Sequence, residues 1–112
     1  MPYLLIQTNV AVEQPSALIE QASQVVSEML GKAESYVMVA LQANTAMSFA
    51  GSAEPTAYLE LKSLRLPESQ STVFSATLCQ FIAQQLDIPA NRIYIEFTNG
   101  QPSLWGWNGK TF

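Results

Sequence analysis

LIEQASQVVSEML (residues 18–30) and FSATLCQFIAQQL (residues 74–86) are the two stretches that decide the fold. In the first, Leu18, Ala22, Val25, Val26, Met29 and Leu30 recur at helical spacing. Pro15 suits a first helical turn, where a missing N–H is no loss. In the second, Phe74, Leu78, Phe81, Ile82 and Leu86 stand 56 residues after Leu18, Ala22, Val25, Val26 and Leu30, with Pro67 upstream. The same step carries Tyr36-Val37-Met38-Val39 onto Arg92-Ile93-Tyr94-Ile95, and the run from Pro2 onto the run from Tyr58. One spacing across a strand, a helix and a strand predicts two βαβ-like halves related by a pseudo-two-fold axis.

Each half places a helix between strands expected to be parallel, with a right-handed crossover. The fold class is therefore α/β (α+β): a four-stranded mixed sheet with two helices on one face, in a single domain spanning residues 1–112. Tyr36-Val37-Met38-Val39-Ala40-Leu41 is apolar at both parities, which predicts burial on both faces. The helices cover one face only, so the other is expected to meet the sheet of another copy. Asn44 to Pro55 and Asn99 to Phe112 carry no periodicity. Within the latter, Asn108-Gly109 predicts a short C-terminal hairpin between Trp105-Gly106-Trp107 and Lys110-Thr111-Phe112. Two tryptophans and a phenylalanine make this tail apolar enough to dock, on its own chain or on a neighbour.

Apolar residues make up 48% and charged residues only 12% of the chain, few for a soluble monomer and a hint of self-association. The net charge is -4 and the five cations are scattered, which argues against nucleic acid as a partner. No apolar run approaches membrane-spanning length. No secretory pattern opens the chain, so a cytoplasmic location is expected. One Cys and no His exclude an internal disulfide, a Cys/His zinc site and every His-dependent triad. Cys79, in the second helical stretch, reads as a small core residue. The five glycines are too dispersed for a phosphate-cradling loop.

Met1-Pro2 precedes the strand-like run Tyr3-Leu4-Leu5-Ile6-Gln7. Proline blunts a strand end, since it has no N–H to give. It also permits trimming of the initiator Met, which leaves a secondary amine on a rigid ring. Buried in an apolar pocket, that amine is a candidate base in a chain without histidine. If Met1 stays attached, the nitrogen is an amide and cannot act so.

A proline in this position on a duplicated βαβ chain of this length resembles the tautomerase superfamily, and within it the macrophage migration inhibitory factor family. The stretches that carry the resemblance are Thr8-Asn9-Val10, Leu30-Gly31-Lys32, Ser48-Phe49-Ala50-Gly51-Ser52-Ala53-Glu54-Pro55, Arg92-Ile93-Tyr94-Ile95, and Gly106-Trp107-Asn108 with Thr111-Phe112. The resemblance implies a homotrimer with pockets at the subunit interfaces, each with Pro2 at the bottom. It implies a cofactor-free interconversion of keto and enol forms of phenylpyruvate-like aromatic acids, and in some relatives isomerisation of dopachrome. By the same resemblance, Lys32 meets the substrate carboxylate or carbonyl oxygen, and Leu64 offers a backbone N–H to substrate oxygen. Tyr36, Tyr94, Trp107 and Phe112 match aromatic pocket-lining positions, and Tyr3 and Trp105 occupy pocket positions. Arg65 either adds charge or is a surface residue.

Two features depart from the family pattern. Glu96 replaces an Asn and shares a strand face with Tyr94. Ionised in the pocket, it would repel an acidic substrate and raise the pKa of Pro2; it could also pair with Lys32 or Arg65, or sit protonated. Weaker use of phenylpyruvate-like acids is expected. Thr56-Ala57-Tyr58-Leu59 stands where some relatives carry Cys-x-x-Cys, so thiol redox activity is not expected. Three functions compete. The first is a tautomerase with Pro2 as general base. The second is a cytokine-like signalling protein that keeps the pocket and acts through a receptor the sequence does not name; secreted relatives leave cells without a signal peptide. The third is a ferredoxin-like regulatory domain with its pocket away from Pro2.

Overall fold

The computed structural model describes all 112 residues. Six strands and two long helices follow one another along the chain: β1 (Tyr3–Thr8), α1 (Pro15–Leu30), β2 (Met38–Gln42), β3 (Ala57–Leu64), α2 (Ser71–Leu86), β4 (Ile93–Gly100), β5 (Gly106–Trp107) and β6 (Lys110–Thr111). The main sheet has the order β2-β1-β3-β4. Its two outer pairs are parallel and the central β1–β3 pair is antiparallel, as two βαβ halves joined at their first strands require. No helix is long and apolar enough to cross a membrane.

The helices obey the 56-residue step to the residue. Pro15–Leu30 maps onto Ser71–Leu86, and a short 3₁₀ turn at Glu34–Tyr36 maps onto one at Ala90–Arg92. Gly31 and Asp87 close the two helices in the same left-handed conformation, at φ 63° and 55°. The first strands break the step. Leu4, Ile6 and Thr8 are the buried residues of β1, and Leu59, Leu61 and Ser63 are their counterparts in β3, a step of 55. A shift of 56 would lay Leu4 on Glu60 and turn every side chain to the opposite face. The pairing agrees: Leu4 sits opposite Val39, and Leu59 opposite Ile95. The second half therefore holds one more residue between its first strand and its helix, in the segment where Arg65 takes φ 54°.

One further expectation is corrected. Tyr36 is not on a strand; it ends the 3₁₀ turn, and β2 begins at Met38. β2 is an edge strand, and the helices cover one of its faces only, which leaves Met38 65% exposed within the chain. Val39 and Leu41 pack on the core from one side.

That core lies between the sheet and both helices. Leu4, Ile6, Leu59 and Leu61 from the sheet meet Leu18, Ala22 and Val26 of α1 and Phe74, Leu78 and Ile82 of α2. Each large side chain contributes about 1.5–3 kcal/mol by leaving water. Cys79 packs partly buried against this core, as its helical position suggests. The opposite sheet face stays open and carries Tyr3, Leu5, Met38, Ala40, Tyr58, Tyr94 and Glu96.

The Asn108-Gly109 hairpin forms as read, with Gly106 paired to Thr111 and Trp107 to Lys110. Both turn residues take positive φ, 53° and 75°, the geometry for which this dipeptide is favoured. The tail docks on its own chain. Trp107 stacks on Phe112 at 5.8 Å and meets Tyr36 edge-on at 5.9 Å. Trp105 lies over Gly100, so close that a β-carbon there would clash with its ring.

Candidate active site

A cavity of about 440 Å³ opens where the start of β1, the end of α1, the end of β3 and the C-terminal tail converge. Met1, Lys32, Ala33, Tyr36, Leu64, Arg65, Pro102 and Phe112 line it. Pro2 is fully buried directly behind Met1, its carbonyl accepting the Met38 N–H at 3.0 Å. The site thus gathers Lys32, Tyr36, Leu64, Arg65 and Phe112 around the head of β1. Trp107 braces two of these from behind, through Tyr36 and Phe112.

Lys32 is placed by the end of α1. The Gly31 N–H donates to the Glu28 carbonyl and the Lys32 N–H to the Ser27 carbonyl, closing the helix. The Ser27 hydroxyl donates back to the Lys32 carbonyl at 2.6 Å. The left-handed residue at Gly31 turns the chain sharply, and only glycine adopts that conformation without cost. Lys32 thereby points back to the end of β3. Its ammonium donates to the Ser63 hydroxyl at 2.7 Å and to the Leu64 carbonyl. An ammonium has three N–H bonds, so one remains for the cavity.

Burial, and secondarily the charge of Arg65, hold the Lys32 pKa below its ordinary value. The N-terminal ammonium, carried here by Met1, is lowered in the same way, first by burial and then by Lys32. No Asp or Glu lines the cavity, although the chain has nine acidic residues. The site is a cationic, partly aromatic hollow in an acidic protein.

Three predicted residues lie elsewhere in the chain. Tyr3, Tyr94 and Glu96 are on the open sheet face. Tyr94 is 64% exposed and meets Phe49 edge-on at 4.8 Å. Glu96 pairs with neither Lys32 nor Arg65 here. It accepts a hydrogen bond from the Tyr58 hydroxyl at 2.6 Å, and that bond is the main reason the Tyr58 pKa is pushed up. Trp105 stands behind the cavity wall, its ring beside Gly100 and Leu64.

Ser63 was not singled out from the sequence. Its signal is a small polar residue that continues the buried alternation Ala57, Leu59, Leu61 in β3. The other conspicuous stretches turn out to be architectural. Arg92 donates to the carbonyls of Phe49, Ser52, Glu54 and Pro55 and lies 5.2 Å from the Phe49 ring centre. The Asn9 side chain donates to the Ala53 and Glu54 carbonyls and accepts from the Thr56 N–H. Three sequence stretches meet there to hold the 49–55 loop, at the far end of β1, about 20 Å from Pro2.

A duplicated βαβ chain with a buried proline beside a lysine-bearing cavity defines a class, and comparison with known proteins names it. The family model described as Macrophage migration inhibitory factor (MIF) matches residues 1–112. The chain is 40% identical over 114 residues to a macrophage migration inhibitory factor homolog of Brugia malayi, covering 100% of this chain and 99% of that protein. It is 37% identical over 114 residues to the homolog of Trichinella spiralis, covering 100% of both. The crystal structure of the homologue from Prochlorococcus marinus superposes with a TM-score of 0.93 at 45% identity, over 98% of each chain. The chain belongs to the macrophage migration inhibitory factor family, whose members fall in the tautomerase superfamily.

Proposed function

We propose that the chain is a cofactor-independent keto–enol tautomerase whose general base is the Pro2 nitrogen, freed by removal of Met1. The single observation that carries this reading is the position of Pro2. It is fully buried directly behind Met1, which lines the cavity that holds Lys32, and burial and the lysine charge lower the pKa of the terminal ammonium that Met1 carries. A base serves best when its pKa lies near the working pH. An α-amino group ordinarily titrates at about 7.7–8.0, and the two causes named here bring it closer to neutrality.

The substrate that fits is an enolisable aromatic keto acid such as phenylpyruvate, with dopachrome-like compounds as relatives of the same chemistry. The neutral Pro2 nitrogen takes a proton from the carbon beside the carbonyl. The electron pair of that C–H bond forms the C=C bond, and the carbonyl pair moves onto oxygen. The remaining Lys32 N–H and the Leu64 backbone N–H are the donors for that oxygen, and fixed donors in a dry site act strongly on developing charge. The protonated Pro2 then returns the proton to the oxygen. Tyr36 and Phe112 supply the aromatic wall.

The working form is a homotrimer. The open sheet face, with Met38 and Tyr94 exposed and Leu5 and Ala40 only part-buried within the chain, supports this. Across a protomer boundary Tyr3, Tyr94 and Glu96 would join the site, and Glu96 would then act against acidic substrates. The test is turnover of phenylpyruvate by the wild type and by Pro2→Gly. A loss of about a hundredfold or more in kcat/KM is expected for removal of a general base. Wild-type turnover retained by Pro2→Gly contradicts the reading and leaves the cytokine-like alternative.

A further inference from the structure

We propose that Arg65 is the carboxylate anchor of this cavity, which leaves Lys32 for the oxygen that becomes the enolate. The inference rests on the tautomerase reading above and assigns the two cations separate tasks. The chain has five cations. Lys62 pairs with Glu60 at 3.1 Å, and Lys110 lies 5.9 Å from the Trp107 ring centre. Arg92 is spent on the 49–55 loop, and Lys32 is held by Ser63 and Leu64. Arg65 alone has no hydrogen bond, ion pair or aromatic partner, and it lines the cavity.

Its backbone sharpens the case. Arg65 sits at φ 54°, in the left-handed region where any residue but glycine is disfavoured. Glycine would fit this turn better, and a merely solvated side chain gives the turn nothing in return. Arg65 is also close enough to Lys32 to depress its pKa.

Geometry divides the labour. Lys32 has one N–H left, a point donor suited to a single oxygen. The guanidinium is a planar fork that meets a carboxylate through two parallel hydrogen bonds. Enolisation of a 2-oxo acid passes through a state with two negative centres, the constant carboxylate and the developing oxygen. A group bound to the constant charge acts equally on ground and transition states, so it sets KM. A group that meets the developing charge sets kcat. The site therefore selects 2-oxo acids with a free carboxylate over their esters and amides.

Trp107 gives a binding signal, because it touches both Tyr36 and Phe112 on the cavity wall. Phenylacetate and phenylacetamide, titrated by its fluorescence, differ only in the carboxylate, and phenylpyruvate kinetics are run beside them. Arg65→Gly relieves the left-handed backbone, so its thermal midpoint is expected to hold or rise. In Arg65→Gly the phenylacetate Kd and the phenylpyruvate KM are expected to rise about tenfold, as loss of hydrogen bonds to a charged group implies. Phenylacetamide binding is unchanged and kcat stays within about twofold. Arg65→Lys recovers part of the affinity, since it restores charge without the fork. Unchanged phenylacetate affinity in Arg65→Gly overturns the proposal, as does equal weakening of acid and amide. Arg65-dependent phenylacetate binding in a wild type that does not turn over phenylpyruvate supports the anchor and refutes the tautomerase reading.

Discussion

Replacing Gly100 with Ala tests how the C-terminal tail is held against the cavity. A β-carbon there would stand 2.8 Å from Cε3 and 2.9 Å from Cζ3 of Trp105, and 3.1 Å from Cδ2 of Leu64. Leu64 is buried and cannot yield, so the indole must move. It does not move alone. The Phe112 N–H donates to the Trp105 carbonyl at 3.3 Å and to the Pro102 carbonyl at 3.2 Å, and Pro102 and Phe112 line the cavity. Overpacking of this kind costs about 1–3 kcal/mol, while removing a strand glycine returns about 0.5–1 kcal/mol. Trp105 is half-buried and its indole has room to shift toward solvent, so the net loss is about 1–2 kcal/mol. In a chain of this size that lowers Tm by about 4–10 °C. Thermal melts by circular dichroism give Tm, and phenylpyruvate kinetics give KM, which rises as Phe112 is displaced. Gly106→Ala is the control, because its nearest neighbour is the Lys110 carbonyl at an ordinary 3.6 Å. Its Tm should stay within about 2 °C. A Gly100→Ala protein that melts with the wild type, or no lower than Gly106→Ala, refutes the packing argument.

Lys32→Gln removes a positive charge that disfavours protonation of the N-terminal amine. The amine pKa rises, so the acid limb of kcat/KM against pH moves upward; a limb that stays in place shows that the lysine charge does not tune the base. Arg92→Met withdraws four hydrogen bonds from the 49–55 loop. Water can reach several of the freed carbonyls, so about 2–4 kcal/mol of stability is lost rather than the full sum. Urea unfolding measures that loss, and a midpoint unchanged from the wild type contradicts the loop assignment.

The architecture was legible because a single helical period is written twice. Both helices, their left-handed ends and the turns after them keep one spacing, and the hairpin is declared by Asn108-Gly109. The one-residue slip between β1 and β3 was not legible. The extra residue falls between Ser63 and Ser71, where no periodicity marks the face of the chain. An apolar run does not distinguish a 3₁₀ turn from extended backbone, so the sequence pattern places Tyr36 in a strand. The cavity itself was reached only through the family resemblance: Lys32 and Leu64 are far apart in sequence, and nothing in their spacing shows that they touch. Tyr94 and Glu96 correctly share a face, but on β4 they stand two strands away from the head of β1 within one chain. Their place in the site depends on a second copy, which alternation along a strand cannot reveal.

The proposed catalysis stands on the Pro2 nitrogen, and NMR titration of protein labelled with ¹⁵N-proline tests it most directly. A secondary amine that titrates below the ordinary α-amino range of about 7.7–8.0 is the expected result. A Pro2 nitrogen that shows no titration, as an amide still joined to Met1 would, contradicts it.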